Sequence, residues 1–255
     1  MSSQRSALLS IEGLSVHFGG LKALSDVYLD LYPNEVVGLI GPNGAGKTTL
    51  FNSLCGIVPA QGSLSLDGKK HEWPTTDELV DLGIARTLQG VGLFPDLTVL
   101  ENVMMGADSQ KKSNVVSDLL GFSGKSEKNL KSKAIDILES MGVAQLRDRL
   151  PHELSYPDSK KVALARALIM EPKLLMLDEP AAGLDQADID NLATIINEIK
   201  KNCAVLVVEH HVDFVGEISD NVFVLNFGKI IASGPFNTVK ENPEVLAAYL
   251  GSSKS

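Results

Sequence analysis

The chain has 255 residues, 44% of them hydrophobic and 22% charged, with a formal net charge of −9. That length allows one large domain or two small ones around a substantial core, and the composition is that of a soluble globular protein. No run approaches the ~18 apolar residues of a membrane span, no long apolar segment behind Met1 to Ser6 marks a secretory signal, and the acidic balance argues against a nucleic-acid binder, which carries a basic stripe. Cys55 and Cys203 both sit in apolar stretches, where small buried thiols are expected rather than a disulfide or a metal site, and a reducing cytoplasm suits the chain.

Taken in order, Leu8 to Val16 and Leu24 to Leu31 alternate in polarity around the turn Gly19-Gly20, which predicts a β-rich first layer. Phe18 stands just before that turn, and position alone leaves it either a rim-of-core ring or a ring laid against a flat ligand. Glu35 to Ile40 ends in the apolar run Val36-Val37-Gly38-Leu39-Ile40, which predicts a buried strand. Beyond the glycine-rich segment that follows, Thr49, Leu50, Phe51, Leu54 and Cys55 recur at helical spacing. Gly62 to Gly68 predicts another alternating strand, and Ile84 to Leu88 a short one that delivers Gln89.

From Val99 to about Arg149 the character changes. Leu130, Ala134, Ile137, Leu138 and Met141 recur at helical spacing, and Gly142 is a plausible stop. Asp108 to Lys128, rich in Ser, Lys, Gly and Asn, predicts a mobile loop. A further helix is predicted over Ser159 to Met170. Lys173 to Leu177 then predicts a buried strand ending in Asp178-Glu179-Pro180. A helix with Ile189, Leu192, Ile196 and Ile199 on one face comes next, and the strand Ala204 to Val208 closes on Glu209-His210-His211. Val222 to Leu225 and Ile230 to Ala232 form a hairpin-like pair around Gly228, and Asn242-Pro243 opens a last helix. Strand–helix alternation with buried apolar strands predicts an α/β fold: a mostly parallel sheet with helices on both faces, an antiparallel N-terminal β layer and a helical insertion. The expected division is one domain, with a core of about 7–98 and 160–240, a helical subdomain of about 99–159 and a C-terminal helix of about 242–251.

Three segments carry chemistry. Gly41-Pro42-Asn43-Gly44-Ala45-Gly46-Lys47-Thr48-Thr49 matches the phosphate-loop pattern G-x-x-x-x-G-K-[ST] at each fixed position and lies between a strand and a helix, the setting in which the motif works. Backbone amides of such a turn converge on an anion, aided by the helix N-terminus, and the glycines avoid Cβ clashes. Lys47 is expected on the β- and γ-phosphates and the Thr48 hydroxyl in a Mg²⁺ shell. The strand end Asp178-Glu179 supplies a metal ligand and a group to orient or deprotonate water, because parallel strands bring their C-terminal ends to one edge. His210, just past another strand, reaches the same edge and is expected to donate to the γ-phosphate; His211 leaves that register open by one residue. His17, His71 and His152 lack such a context.

The set Gly41 to Thr48, Gln89, Leu154-Ser155, Asp178-Glu179, Gly183-Leu184-Asp185 and His210 resembles, in order and spacing, an ATP-binding cassette (ABC) ATPase over nearly the whole chain. The resemblance implies ATP and Mg²⁺ as ligands, and a dimer in which each nucleotide lies between one subunit's phosphate loop and the other's signature segment. It implies Phe18 as the adenine-stacking aromatic, Gln89 as a metal sensor facing a membrane subunit, Asp185 in the dimer contact and His210 as the switch histidine. Phe18-Gly19-Gly20-Leu21-Lys22-Ala23-Leu24, Arg86 to Gln89, Leu93-Phe94, Thr98-Val99, Glu101-Asn102, Pro180 to Leu184 and the tail Asn242 to Gly251 look more narrowly like the ATP-binding subunits of branched-chain amino-acid and urea importers. That implies integral membrane permeases as partners, an extracytoplasmic solute-binding protein acting indirectly, and a peripheral position on the cytoplasmic face of the membrane. An exporter ATPase for lipid or lipopolysaccharide, a soluble cassette protein and an ATP-gated scaffold are the alternatives.

One departure stands out. The family signature Leu-Ser-Gly-Gly-Gln reads here Leu154-Ser155-Tyr156-Pro157-Asp158. Proline removes a backbone N–H that would face the γ-phosphate, and Asp158 adds negative charge near an anion. The expectation is a hetero-pair with a second ABC ATPase subunit whose signature is intact, a homodimer being the alternative, with no nucleic acid involved.

Overall fold

The computed structural model describes residues 6–87, 90–107 and 123–251, without the side chains of 123–126, 250 and 251. The chain forms two compact units, one of residues 1–79 with 176–255 and the other of 80–175.

In the first unit, β1 (Leu9–Phe18), β2 (Leu21–Leu31), β4 (Gln61–Leu66) and β5 (Lys69–His71) make an antiparallel sheet ordered β2-β1-β4-β5. Leu9, Ile11, Leu14 and Val16 of β1 are buried, and a register shift between Ile11 and Leu14 brings the two alternating pairs to the same face. β2 begins three residues earlier than its apolar pattern predicts, because Phe18 pairs directly with Leu21 across Gly19-Gly20. The second sheet runs β10 (Lys229–Gly234), β9 (Asn221–Asn226), β3 (Val36–Ile40), β8 (Ala204–Val208) and β7 (Leu174–Asp178) in spatial order. β3 pairs in parallel with β8 and β9, and β10 returns antiparallel. Every residue of β3, β7 and β8 is buried, as a strand covered on both faces requires.

The helices of this unit are α1 (Lys47–Leu54), α5 (Gln186–Ile199), α6 (Val212–Ile218), α7 (Phe236–Val239) and α8 (Pro243–Gly251). α5 buries Ile189, Leu192, Ile196 and Ile199, the stripe its spacing predicts. Ile40 at the end of β3 packs in a cluster with Val215, Val222, Val224, Val239 and Val245, with Tyr249 against it, so the C-terminal helix closes over the strand that leads into the phosphate loop. Cys55 and Cys203 are free and buried.

In the second unit, β6 (Ile84–Arg86) lies beside the start of β7, where Leu174 donates to Gly83 O at 3.1 Å. Among its described residues the α-helices are α2 (Val99–Met105), α3 (Ser123–Ser140) and α4 (Tyr156–Leu168). Thr98 and Glu101 close a capping box on α2. Gly106, at the end of α2, lies where a Cβ would stand 2.1 Å from Arg166 O, so α2 and α4 approach at backbone distance. The structure revises two expected boundaries. α3 starts at Ser123, inside the stretch expected to be a loop through Lys128, since Lys and Glu extend a helix readily; residues 108–122 of that stretch lie outside the described residues. α4 starts at Tyr156, three residues early, because Ser155 caps it and Pro157 suits the first turn. No helix among the described residues is long and apolar enough to cross a membrane.

Candidate functional site

The loop from Gly41 to Gly46 connects β3 to α1, and its shape follows from two glycines. Gly41 has φ 152°, and a Cβ there would lie 2.0 Å from Leu225 O; Gly46 has φ 110°, with Leu24 Cδ2 at 2.8 Å and Ala23 O at 2.9 Å from a Cβ. Neither position holds a side chain. Gly46 offers α1 no side-chain cap, and the first turn of α1 carries no acidic residue, so nothing anionic from this helix competes at its positive end. Lys47 is 8% exposed and donates from Nζ to Gly41 O at 2.6 Å and Pro42 O at 3.1 Å. Burial pushes its pKa below the ordinary lysine value, and the nearby charge of Glu179 pulls back against that.

At the same end of the sheet, β7 finishes in Asp178, 7% exposed. Glu179 turns out of the strand at φ 48°, and its N–H donates to Val208 O at 2.9 Å, which joins the ends of β7 and β8. His210 follows β8, with its side chain 57% exposed and Nδ1 3.9 Å from Glu179 Oε1. His210 stands beside Glu179, whereas His211 occupies the N-cap position of α6 without a side-chain cap bond and its Nδ1 is buried without a hydrogen-bond partner.

One residue of this edge has no motif to announce it. Glu209 is 0% exposed and accepts from Ala181 N at 2.7 Å, His210 N at 3.0 Å and His211 N at 3.2 Å. The signal available in the sequence was an acidic residue directly after five apolar strand residues.

Among the described residues no group of three or more His, Cys, Asp or Glu could hold a metal. The expected ligands Thr48 and Asp178 carry donors whose chemistry fits Mg²⁺: a hydroxyl and a carboxylate are hard oxygen ligands, and Mg²⁺ in phosphate sites relies on one or two carboxylates, water and phosphate oxygens. Gln89, the other expected metal contact, lies outside the described residues.

The other expected site residues are spread more widely. Phe18 ends β1 half exposed, at 50%. Thr49 sits in the first turn of α1, and Pro42, Asn43, Gly44 and Ala45 form the crown of the phosphate loop, where Ala45 donates to Pro42 O at 3.2 Å. Asp185 caps α5, accepting from Asp188 N at 2.9 Å. In the second unit, Leu154 leads into Ser155, whose hydroxyl donates to Asp158 Oδ2 at 2.7 Å and accepts from Asp158 N at 3.2 Å. Tyr156 is exposed, with Lys160 Nζ 5.2 Å from its ring centroid. The loop before α2 is also organised from within: buried Asn102 accepts from Phe94 N at 2.8 Å and donates to Phe94 O, Leu97 O and Thr98 O at 2.9–3.1 Å.

Known proteins are similar to this chain in sequence and fold. Residues 24–182 match the ABC transporter family model, and residues 229–254 match that of the branched-chain amino acid ATP-binding cassette transporter. The chain is 39% identical to the high-affinity branched-chain amino acid transport ATP-binding protein LivG of Escherichia coli K12 over 251 residues, covering 96% of this chain and 98% of LivG. It is 33% identical to the lipopolysaccharide export system ATP-binding protein LptB of Haemophilus influenzae, with 96% and 98% covered. The ADP conformation of MJ1267, an ATP-binding cassette of an ABC transporter, superposes with a TM-score of 0.84 at 32% identity over 96% of this chain and 99% of that one. A match over more than half the chain, with relatives covered almost end to end, makes this chain a member of the ABC transporter family, as its nucleotide-binding ATPase.

Proposed function

We propose that the protein is the ATP-hydrolysing subunit of a membrane importer for branched-chain amino acids or related small polar solutes such as urea and amides. The observation that carries the chemistry is the convergence of Lys47, Glu179 and His210 at one sheet edge, with Glu179 and His210 3.9 Å apart. The narrower reading draws on the likeness to LivG and on the match of the C-terminal segment.

In this reading the amides of Gly41 to Thr49 and the Lys47 ammonium hold the nucleotide phosphates, and the Phe18 ring lies against adenine. Thr48 and Asp178 would hold Mg²⁺, with Gln89 beside it. When bound by these residues, the ion would supply neutralisation of the phosphate charge. Glu179 orients the attacking water and accepts its proton. The imidazole of His210 donates to the γ-phosphate. Ser155 and the N-terminus of α4 serve the nucleotide of a partner subunit, and Asp185 contributes to the same contact. Losing one amide donor at Pro157 weakens that site by about 1.5–3 kcal/mol, so the partner is a different ATPase subunit with an intact signature. Permeases dock on the segment between Gln89 and Glu101. The chain lies on the cytoplasmic face of the membrane, and an extracytoplasmic binding protein delivers the solute.

A second reading, export of lipid or lipopolysaccharide, has the likeness to LptB in its favour. Reconstitution with membrane permease subunits separates the two. ATP-dependent uptake of radiolabelled leucine or urea into inside-facing proteoliposomes supports import; extraction of lipopolysaccharide without solute uptake rejects it.

A further inference from the structure

β8 runs through five buried apolar residues and then places a carboxylate, Glu209, at zero exposure. A buried carboxylate is costly unless its oxygens are satisfied. Those of Glu209 accept hydrogen bonds from backbone N–H groups of two different loops, and His210 Nδ1 stands 3.7 Å from Oε2. Oε1 accepts from Ala181 N in the loop after β7; Oε2 accepts from His210 N and His211 N in the loop after β8. The first of these loops carries Glu179 two residues before Ala181, and the second carries His210.

The backbone around Glu179 shows what this bridge does. Glu179 sits at φ 48°, a left-handed conformation that a residue with a side chain adopts only when its surroundings impose it. Two hydrogen bonds bracket it: its own N–H to Val208 O at 2.9 Å, and Ala181 N–H to Glu209 Oε1 at 2.7 Å. Both anchors belong to β8 and its end. The strand that delivers His210 therefore also sets the turn that aims Glu179.

We infer that Glu209 is a positioning residue for ATP hydrolysis, a buried clamp that fixes the spacing of Glu179 and His210 by hydrogen-bonding both of their loops. An ionised carboxylate is suited to this because it is an acceptor only, with capacity for all three N–H groups. A glutamine in its place would have to turn its NH₂ toward one loop or the other, donor against donor. An aspartate keeps the acceptors but is one methylene too short to span both loops. The inference rests on the roles assigned above to Glu179 and His210.

The test compares E209Q and E209D with the unmodified chain, each assembled with its partner subunits, and includes E179Q as reference. ATP affinity, read by equilibrium nucleotide binding, should stay within about twofold, because Gly41 to Thr49 is untouched, while kcat should fall about 10²-fold, the scale of a misplacement near 1 Å. Hydrogen exchange of the Ala181, His210 and His211 amides should quicken together in E209Q. If E179Q loses turnover and E209Q keeps it, the clamp is wrong and the assigned site stands. If E179Q keeps turnover, the assigned site falls and the clamp with it. Failure of both Glu209 variants to fold, or a loss of turnover that only follows a loss of folded protein, would assign Glu209 to the fold alone and overturn the inference.

Discussion

Ser155 and Asp158 hold each other: the serine hydroxyl donates to the Asp158 carboxylate at 2.7 Å and accepts from the Asp158 N–H at 3.2 Å. The pair caps α4, with Pro157 between its members. The arrangement suits the helix, since Asp158 stands in its first turn. It suits a phosphate less, because the Ser155 hydroxyl is turned to a carboxylate of its own chain. Replacing Pro157 with Gly and Asp158 with Gln restores the N–H and releases Ser155. Turnover of the assembled complex should rise about tenfold, the equivalent of 1.4 kcal/mol in the range of one charge-assisted hydrogen bond. Unchanged turnover and transport would reject the asymmetry.

The phosphate loop makes a prediction about two of its glycines. Gly41→Ala drives a methyl into Leu225 O, 2.0 Å away, whereas Gly44→Ala, at φ 77°, meets nothing within 4 Å. The second change carries only the backbone penalty of about 1–2 kcal/mol and should fold, with weakened nucleotide binding. The first has no room to relax without moving β9, and should cost more than about 4 kcal/mol. Thermal melts of the two variants side by side check the order; equal melting points would contradict it.

Lys47 predicts a pH dependence of stability. Its folded pKa lies below the ordinary lysine value, chiefly through burial, with Glu179 opposing. Between the lowered folded value and the unfolded one near 10.4 the unfolded chain therefore binds more protons, so this group makes stability rise with pH through that window. Below the window the full cost of burying the charge is present. Lys47→Met removes the term. The difference in melting temperature between Lys47→Met and the unmodified chain should favour the variant at neutral pH and shrink as pH is raised toward 10. A difference that is flat or grows with pH would show that the Lys47 charge is compensated in the fold.

Asn102 predicts how firmly the loop before α2 is held. Its amide is fully buried and makes one acceptor and three donor contacts to Phe94, Leu97 and Thr98. Asn102→Ala leaves the Phe94 N–H without this acceptor and the loop without its centre. The expected loss is about 3 kcal/mol, or roughly 6–12 °C in a chain of this size. Copurification of permeases, which the proposed docking segment needs, should fall with it. Retained copurification at a temperature where the variant stays folded would move the docking site elsewhere.

What could be read without coordinates was whatever depends on local order. The phosphate loop is nine consecutive residues whose chemistry follows from glycines, a lysine and a threonine between a strand and a helix, so Gly41 to Thr49 stood out at once. The buried strands β3, β7 and β8 were legible as apolar runs, and the last helix as an Asn-Pro start, where Asn242 Oδ1 accepts from Glu244 N at 2.8 Å. Asp178 and Glu179 stand out as a pair after an apolar strand in a chain that also carries the phosphate loop, with the rule that parallel strands end at one edge. The apolar spacing marks α4 only from Ser159 onward; Ser155 as cap and Pro157 in the first turn carry its start back to Tyr156.

Tertiary structure decided what depends on residues that meet only after folding. Strand-end position favoured His210 over His211 in sequence; in the fold His210 Nδ1 stands 3.9 Å from the Glu179 carboxylate, where the Glu179 turn is held by Val208. Glu209 in sequence is one acidic residue after a strand. Its meaning comes from Ala181, 28 positions earlier, whose N–H it accepts only once β7 and β8 lie side by side. Periodicity reports which face of an element is apolar, and it carries no record of which backbone amides a buried carboxylate will find.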